Sequence, residues 1–114
     1  MTSIRVLNVS ATPDPEPGPG EQSVVRIDSI WDGSGSVADV RIASGIAKLT
    51  PGLHDAVVRG DEVACVVGGK LSVTDRMSGE ELPLQAGDTM FMPQGTEVSW
   101  NVSEFTTIVY VMIS

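Results

Sequence analysis

Between Gly87 and Tyr110 the chain reads GDTMFMPQGTEVSWNVSEFTTIVY, a Gly-Asp turn, a strand, a Pro-x-Gly corner and two further strands with no slack between them. Glycine reaches the positive φ that tight turns need, and Pro93 fixes a corner where a chain passes from one sheet to another. A helix has no room in this segment. It is the closing half of a small β-barrel, and it limits the rest of the chain to partners for those strands.

The remaining residues agree. Apolar residues come in short runs, and no window of eleven or more has helical spacing. The candidate strands are SVVRIDSIW, VADVRIASGIAKL, DAVV, EVACVV, KLSVTD, MFM, VSWNV and TTIVYVMI, separated by DGSGS, TPG, RGD, GG, RMSGEE, QAGD and PQG. Strands at such spacing make a sandwich or a closed barrel, and closure removes exposed edges. With few aromatics (two Trp, two Phe, one Tyr), the core is built from Val, Ile, Leu and Met, whose branched members suit a pleated sheet. At 114 residues there is room for one core. Residues 22–114 form the barrel. Residues 1–21 are an N-terminal strand, IRVLNVS, and a Pro-rich arm, TPDPEPGPG, whose prolines lack the amides that helix and sheet require. A tethered strand of this kind can pair with the body or with a second subunit, and exchange with a partner is favoured.

Fifteen acidic against seven basic residues give a net charge of −8, which repels phosphate backbones and anionic lipid surfaces. Nucleic acid and membrane are therefore not expected as partners. No run reaches the ~20 apolar residues that span a bilayer, and the N-terminus lacks a basic start followed by an apolar stretch, so a cytoplasmic location is expected. The single Cys65, inside VACVV, is read as a buried packing residue. The acidic Asp75, Glu80, Glu81 and Asp88 fall in or beside turns and are read as solvated, and Arg59-Gly60-Asp61 as a turn between strands.

From Gly45 to Ser114 the sequence resembles the cupins, and within them the small single-domain branch that includes the ethanolamine-utilisation Q type and ureidoglycine-aminohydrolase-like proteins. The resemblance rests on SGIAKLTPG followed by RGDEVACVVGGKLSVTD, with Glu62 seven residues before Gly69. It rests equally on LQAGDTMFMPQGTEVSW, with Gly87 six before Pro93 and Gly95 two beyond it, and on the ending with Trp100, Val102, Glu104 and Tyr110. It implies an all-β, single-domain cupin barrel, that is, a double-stranded β-helix or jelly roll. It also implies a His-x-His pair ahead of the glutamate, but those positions hold Ala56 and Val58, or Asp55 and Val57; the later histidine position holds Val98. Of four expected metal ligands Glu62 alone is in place, and one carboxylate does not make a transition-metal site. Relatives also tend to carry an aromatic where Ala47 stands and a lysine where Ile108 stands, so the interior here is roomier and more apolar.

By strand parity from Glu62 and Val98, the lining is His54, Ala56, Val58, Glu62, Ala64, Val66, Val98, Trp100 and Val102, with Met90 and Met92, or else Phe91, from the neighbouring strand. A carboxyl among Val, Met and Trp loses hydration in its charged form, so the Glu62 pKa should rise towards values useful for a general acid or base. His54 and Tyr110 are candidate catalytic partners; Ala56, Val58, Ala64, Met90, Met92, Val98 and Trp100 are candidate ligand contacts. The expectation is a metal-independent cupin, with no cofactor, that binds a small organic molecule and carries out isomerisation, dehydration or cyclisation through Glu62. The alternatives are a non-catalytic ligand-binding or scaffolding cupin, or a metal-dependent enzyme using His54 and Glu62. Bland readings stand beside these: Glu62 paired with Arg59 or capping the RGD turn, and His54 solvated after the TPG turn. A homodimer is expected, because the N-terminal strand and VADVRIASGIAKL look like uncovered apolar edges.

Overall fold

The structure, a computed structural model, describes residues 4–35 and 39–114. Among them nine strands form: β1 (Val25–Ser34), β2 (Arg41–Leu49), β3 (Gly52–Val57), β4 (Asp61–Gly68), β5 (Lys70–Asp75), β6 (Glu81–Gln85), β7 (Thr89–Met92), β8 (Glu97–Val102) and β9 (Thr106–Ile113). They make two antiparallel sheets, β1-β2-β9-β4-β7 and β3-β8-β5-β6, packed face to face as a jelly roll. The sheets are not closed on each other by hydrogen bonds, so β1, β7, β3 and β6 remain edges. β6, which lies between the two turns read from sequence as RMSGEE and QAGD and is not among the expected strands, is a strand containing Pro83. Its place at a sheet edge explains this, since an edge strand has one side on which a missing amide costs nothing.

The expected corners are where the spacing put them. Pro93 stands between β7 of one sheet and β8 of the other, and Gly95 donates to the Val58 carbonyl at 2.8 Å while Gln94 N donates to Asp61 Oδ1 at 3.0 Å. The RGD turn thus braces the Pro-x-Gly corner. Gly87 has φ 98°, and Asp88 accepts from Gln85 N at 2.9 Å, so that acid serves its own turn.

Between the sheets lie Leu49, Val58, Ala64, Val66, Leu71, Val73, Met92, Val98, Trp100, Val102 and Ile108, all buried. Apart from Val58, just past the end of β3, each comes from the inward-facing set of its strand, which is what period-two alternation requires. Cys65 points the other way. It is half-buried on the outer face of β4 rather than in the core, since its neighbours Ala64 and Val66 are the inward residues.

The N-terminal strand expected from IRVLNVS is not formed: residues 4–8 are irregular and Val9–Ala11 make one 3-10 turn. Lys48 fastens this arm to the outer face of β2. Its Nζ donates to the Val9 carbonyl at 3.0 Å, the Thr12 carbonyl at 2.9 Å and Asp14 Oδ1 at 2.8 Å. All three ammonium hydrogens are thereby satisfied, which lets a lysine side chain sit only 5% exposed. Farther along, Arg5 stacks 4.7 Å from the ring centre of Trp31. Nor is β2 an edge, since it pairs with β1 on one side and β9 on the other. The edge that VADVRIASGIAKL seemed to offer is covered within the chain.

Candidate functional site

One end of the space between the sheets is hollow. A cavity of about 190 Å³ opens there, lined mainly by apolar side chains from both sheets. Small residues create it. Ala47, beside Ile108 in one sheet, and Ala56, beside Val98 in the other, each present only a methyl to the gap. Both Ala47 and Ile108, where relatives tend to carry an aromatic and a lysine, line this cavity.

His54, Ala56, Val58, Glu62, Met92, Val98 and Trp100 border the cavity, as parity from Glu62 and Val98 requires, and Tyr110, whose facing the motif leaves open, borders it too. Ala64 does not; it is 0% exposed and lies deeper, in the closed part of the core with Val66 and Val102. Met90 packs against that core without reaching the cavity. Phe91 is 61% exposed on the outside, so β7 presents its methionines inward. Asp55 faces outward too, where it accepts from the Ser99 hydroxyl at 2.6 Å. Parity did not reach Val25, Ile27, Leu49 and Met112 on the strands β1, β2 and β9, which line the cavity beside Ala47 and Ile108, nor Val57 and Arg59. The signal that could have found them is cross-strand register, which needs the sheet order.

Glu62 is half-buried and, among the described residues, hydrogen-bonds to nothing through its carboxylate. It neither pairs with Arg59 nor caps the RGD turn, the role Asp61 fills. Its environment is apolar, and burial raises its pKa above the ordinary carboxylate range. Tyr110 follows on β9. Burial pushes its phenol up, the charges of Glu62 and Asp32 push the same way, and a hydrogen bond with the Ser29 side chain opposes them. Tyr110 is therefore a phenol throughout the neutral range and suits proton donation or hydrogen bonding to a ligand, not base catalysis.

That Ser29 contact has a backbone cause. In register, Gly45 of β2 lies opposite Ser29 of β1 on one side and Tyr110 of β9 on the other. A side chain at Gly45 would collide with the Asp28 carbonyl and Ser29 Cα, so its absence lets the neighbouring strands close over it. Just beyond, a bulge between Ser29 and Trp31 shifts the register and sends Trp31 to the outer face.

Metal-donor chemistry is sparse here. Glu62 and His54 are the lining side chains among His, Cys, Asp and Glu, and among the described residues no group of three or more such side chains could hold an ion. The donors present do not fit the metal centre that the cupin resemblance implies. Also among the described residues, no helix is long and apolar enough to cross a membrane.

No curated protein matches the chain. Among solved structures it is similar to the EutQ protein of Clostridium difficile, at 19% identity and a TM-score of 0.68, covering 93% of this chain and 79% of that one. It is likewise similar to a Rhizobium leguminosarum bv. viciae 3841 protein of unknown function, at 22% identity and a TM-score of 0.67, covering 97% of each chain. A third is a cupin-2 domain containing protein from Shewanella frigidimarina, at 22% identity and a TM-score of 0.56, with 75% and 78% covered. These likenesses show the shared fold. The EutQ-like cupin domain, as a family, matches residues 37–110. With both motif halves inside that span, the chain belongs to the EutQ-like cupins.

Proposed function

We propose that this cupin binds a small, mostly apolar organic molecule in the cavity beside Glu62 and works on it without a metal, by proton transfer. The observation that carries the reading is an unpartnered carboxyl, its pKa raised, standing in an apolar cavity with a phenol on the next strand. A structural carboxylate would be expected to have a hydrogen-bond or ionic partner, and among the described residues Glu62 has none. Such a group takes or gives a proton near neutral pH more readily than a solvated one. Tyr110 would supply the complementary proton, and His54, across from Trp100, would contact the bound molecule. Isomerisation, dehydration and cyclisation are the reaction classes this pair can serve.

The test begins with a fragment screen followed by NMR. Binding should move the Trp100 indole and Met92 methyl resonances, and turnover of any ligand that reacts should vanish in Glu62→Gln while its binding persists. If binding persists and no ligand reacts, the non-catalytic reading holds instead. Near-stoichiometric iron, manganese, zinc or nickel in protein purified without chelators or affinity tags would overturn the metal-free reading.

We infer further that the chain works as a homodimer. Val63, Val67, Phe91, Val109, Val111 and Ile113 are each more than a third exposed on the outer face of the larger sheet, around Cys65. A chain of net charge −8 that groups these apolar side chains on β4, β7 and β9 has a surface suited to a second copy. A cytoplasmic location fits the unpaired thiol.

A further inference from the structure

Seven side chains in this protein are cationic. Five are engaged: Arg26 with Asp28, Arg41 with Asp32, Lys48 with Asp14, Arg5 with the Trp31 ring, and Arg76 with the Ala56 carbonyl. Among the described residues, Lys70 and Arg59 have no such partner, and of these two Arg59 alone borders the cavity. The vacancy is notable because acids are close in sequence. Asp61 is turned to the Gln94 amide, and Glu62 is shifted by burial with no share from the arginine. Ile27 and Val57, which also border the cavity, are 58% and 53% exposed, so they and the exposed Arg59 mark its mouth. The inner wall is Leu49, Val98, Trp100 and Ile108, all buried.

A site so polarised selects for a polarised ligand. Burying a charge among these inner side chains would be costly, whereas a charge left at the mouth keeps most of its water. An apolar body entering first and an anionic head staying outside satisfies both halves. Guanidinium groups hold carboxylates through two parallel hydrogen bonds. We propose that the cavity takes a short amphipathic monocarboxylate, its carboxylate held by Arg59 at the mouth and its apolar body seated against Val98, Trp100 and Ile108. Arg59 is then the specificity-determining residue of the site, and Glu62 and Tyr110 face the part of the ligand that lies inside. A volume near 190 Å³ admits an apolar body of about six heavy atoms, at ~30 Å³ each.

The proposal rests on the cavity being a binding site, and the experiment separates the two ideas. 4-Methylpentanoate and its uncharged isostere 4-methylpentanamide are titrated into the full chain and into Arg59→Gln at 0.15 M salt, following the Trp100 indole and Met92 methyl resonances. Both should bind, the carboxylate about fivefold more tightly, the size of a favourable exposed ion pair. In Arg59→Gln the carboxylate should lose that advantage while the amide binds as before. Equal affinities in the natural chain, or equal weakening of both probes by the substitution, would overturn the role of Arg59 and leave the cavity as a binding site. Should neither probe move those resonances, the binding-site reading fails and this proposal with it. Arg59 is exposed and unpartnered, so its replacement is not expected to disturb folding.

Discussion

The two ends of the space between the sheets are built from the same strands and differ in one respect, the size of the residues that meet. At the closed end Val66, Leu71, Val73 and Val102 fill the space with branched side chains, each at most 3% exposed. At the other end the lining includes Ala47 and Ala56, beside Ile108 and Val98 in their own sheets, and a cavity results. A jelly roll thus needs only part of its interior close-packed to hold its strands in register. The remainder can be thinned to house a ligand and one unpaired carboxyl at little cost to the fold.

The sharpest way to break this contrast is to remove volume at each end in turn. Leu71→Ala at the closed end should cost about 2–5 kcal/mol, because the transfer and cavity terms add, and should lower Tm by ten degrees or more. Ala47→Gly, beside an existing void, should cost about 1 kcal/mol, mostly backbone entropy. Equal losses in thermal unfolding would mean that the open end is packed as tightly as the closed one.

Next in size is the arm. Lys48→Met keeps the stem but deletes three hydrogen bonds, and should cost about 1–3 kcal/mol while speeding amide exchange at Ser10 and Thr12. Unchanged exchange there would show that the arm is held by other contacts. On the outer face, Val109→Asp should leave the fold intact and convert a dimer to a monomer in sedimentation equilibrium. A natural chain that already sediments at monomer mass would remove the dimer from consideration.

The smallest effect is the most informative about the cavity. Burial raises the pKa of Glu62 in the folded state, so the folded chain holds that proton more tightly than the unfolded one. The stabilising contribution is complete below the ordinary carboxylate value, about 4.3, and is lost as pH rises through the higher folded value. Glu62→Gln carries no charge to desolvate. Its Tm should match that of the natural chain near pH 4 and exceed it by one or two degrees at pH 8, the gain being small because Glu62 keeps part of its hydration. A lower Tm at pH 8 would mean that the carboxylate has a partner and that the cavity is not apolar around it.

The strands were legible because alternation, turn glycines and Pro93 act locally, and these fixed eight of the nine strands and the sheet-to-sheet corner at residues 93–95. β6 was not, because Pro83 reads as a breaker until its strand is known to be an edge. The lining on β3, β4 and β8 followed from parity, whereas Ala64 and Met90 were misplaced because parity gives the face of a sheet and not the depth along it. Arg59 reads from sequence as a turn residue or a partner for Glu62, since a free cation is recognised only after the other cations have been matched to their partners.

The sequence by itself determined the fold class, the positions of the turns, the scarcity of metal donors, and the carboxyl that faces inward. Those properties follow from residue type and spacing along one chain. Only the tertiary structure decided that β2 is interior, that Lys48 fastens the arm to its own body, that Gly45 lets Ser29 reach Tyr110, and that the interior is hollow at one end. Each depends on which residues stand opposite one another across strands far apart in sequence, and that register is set by the packing of the whole domain.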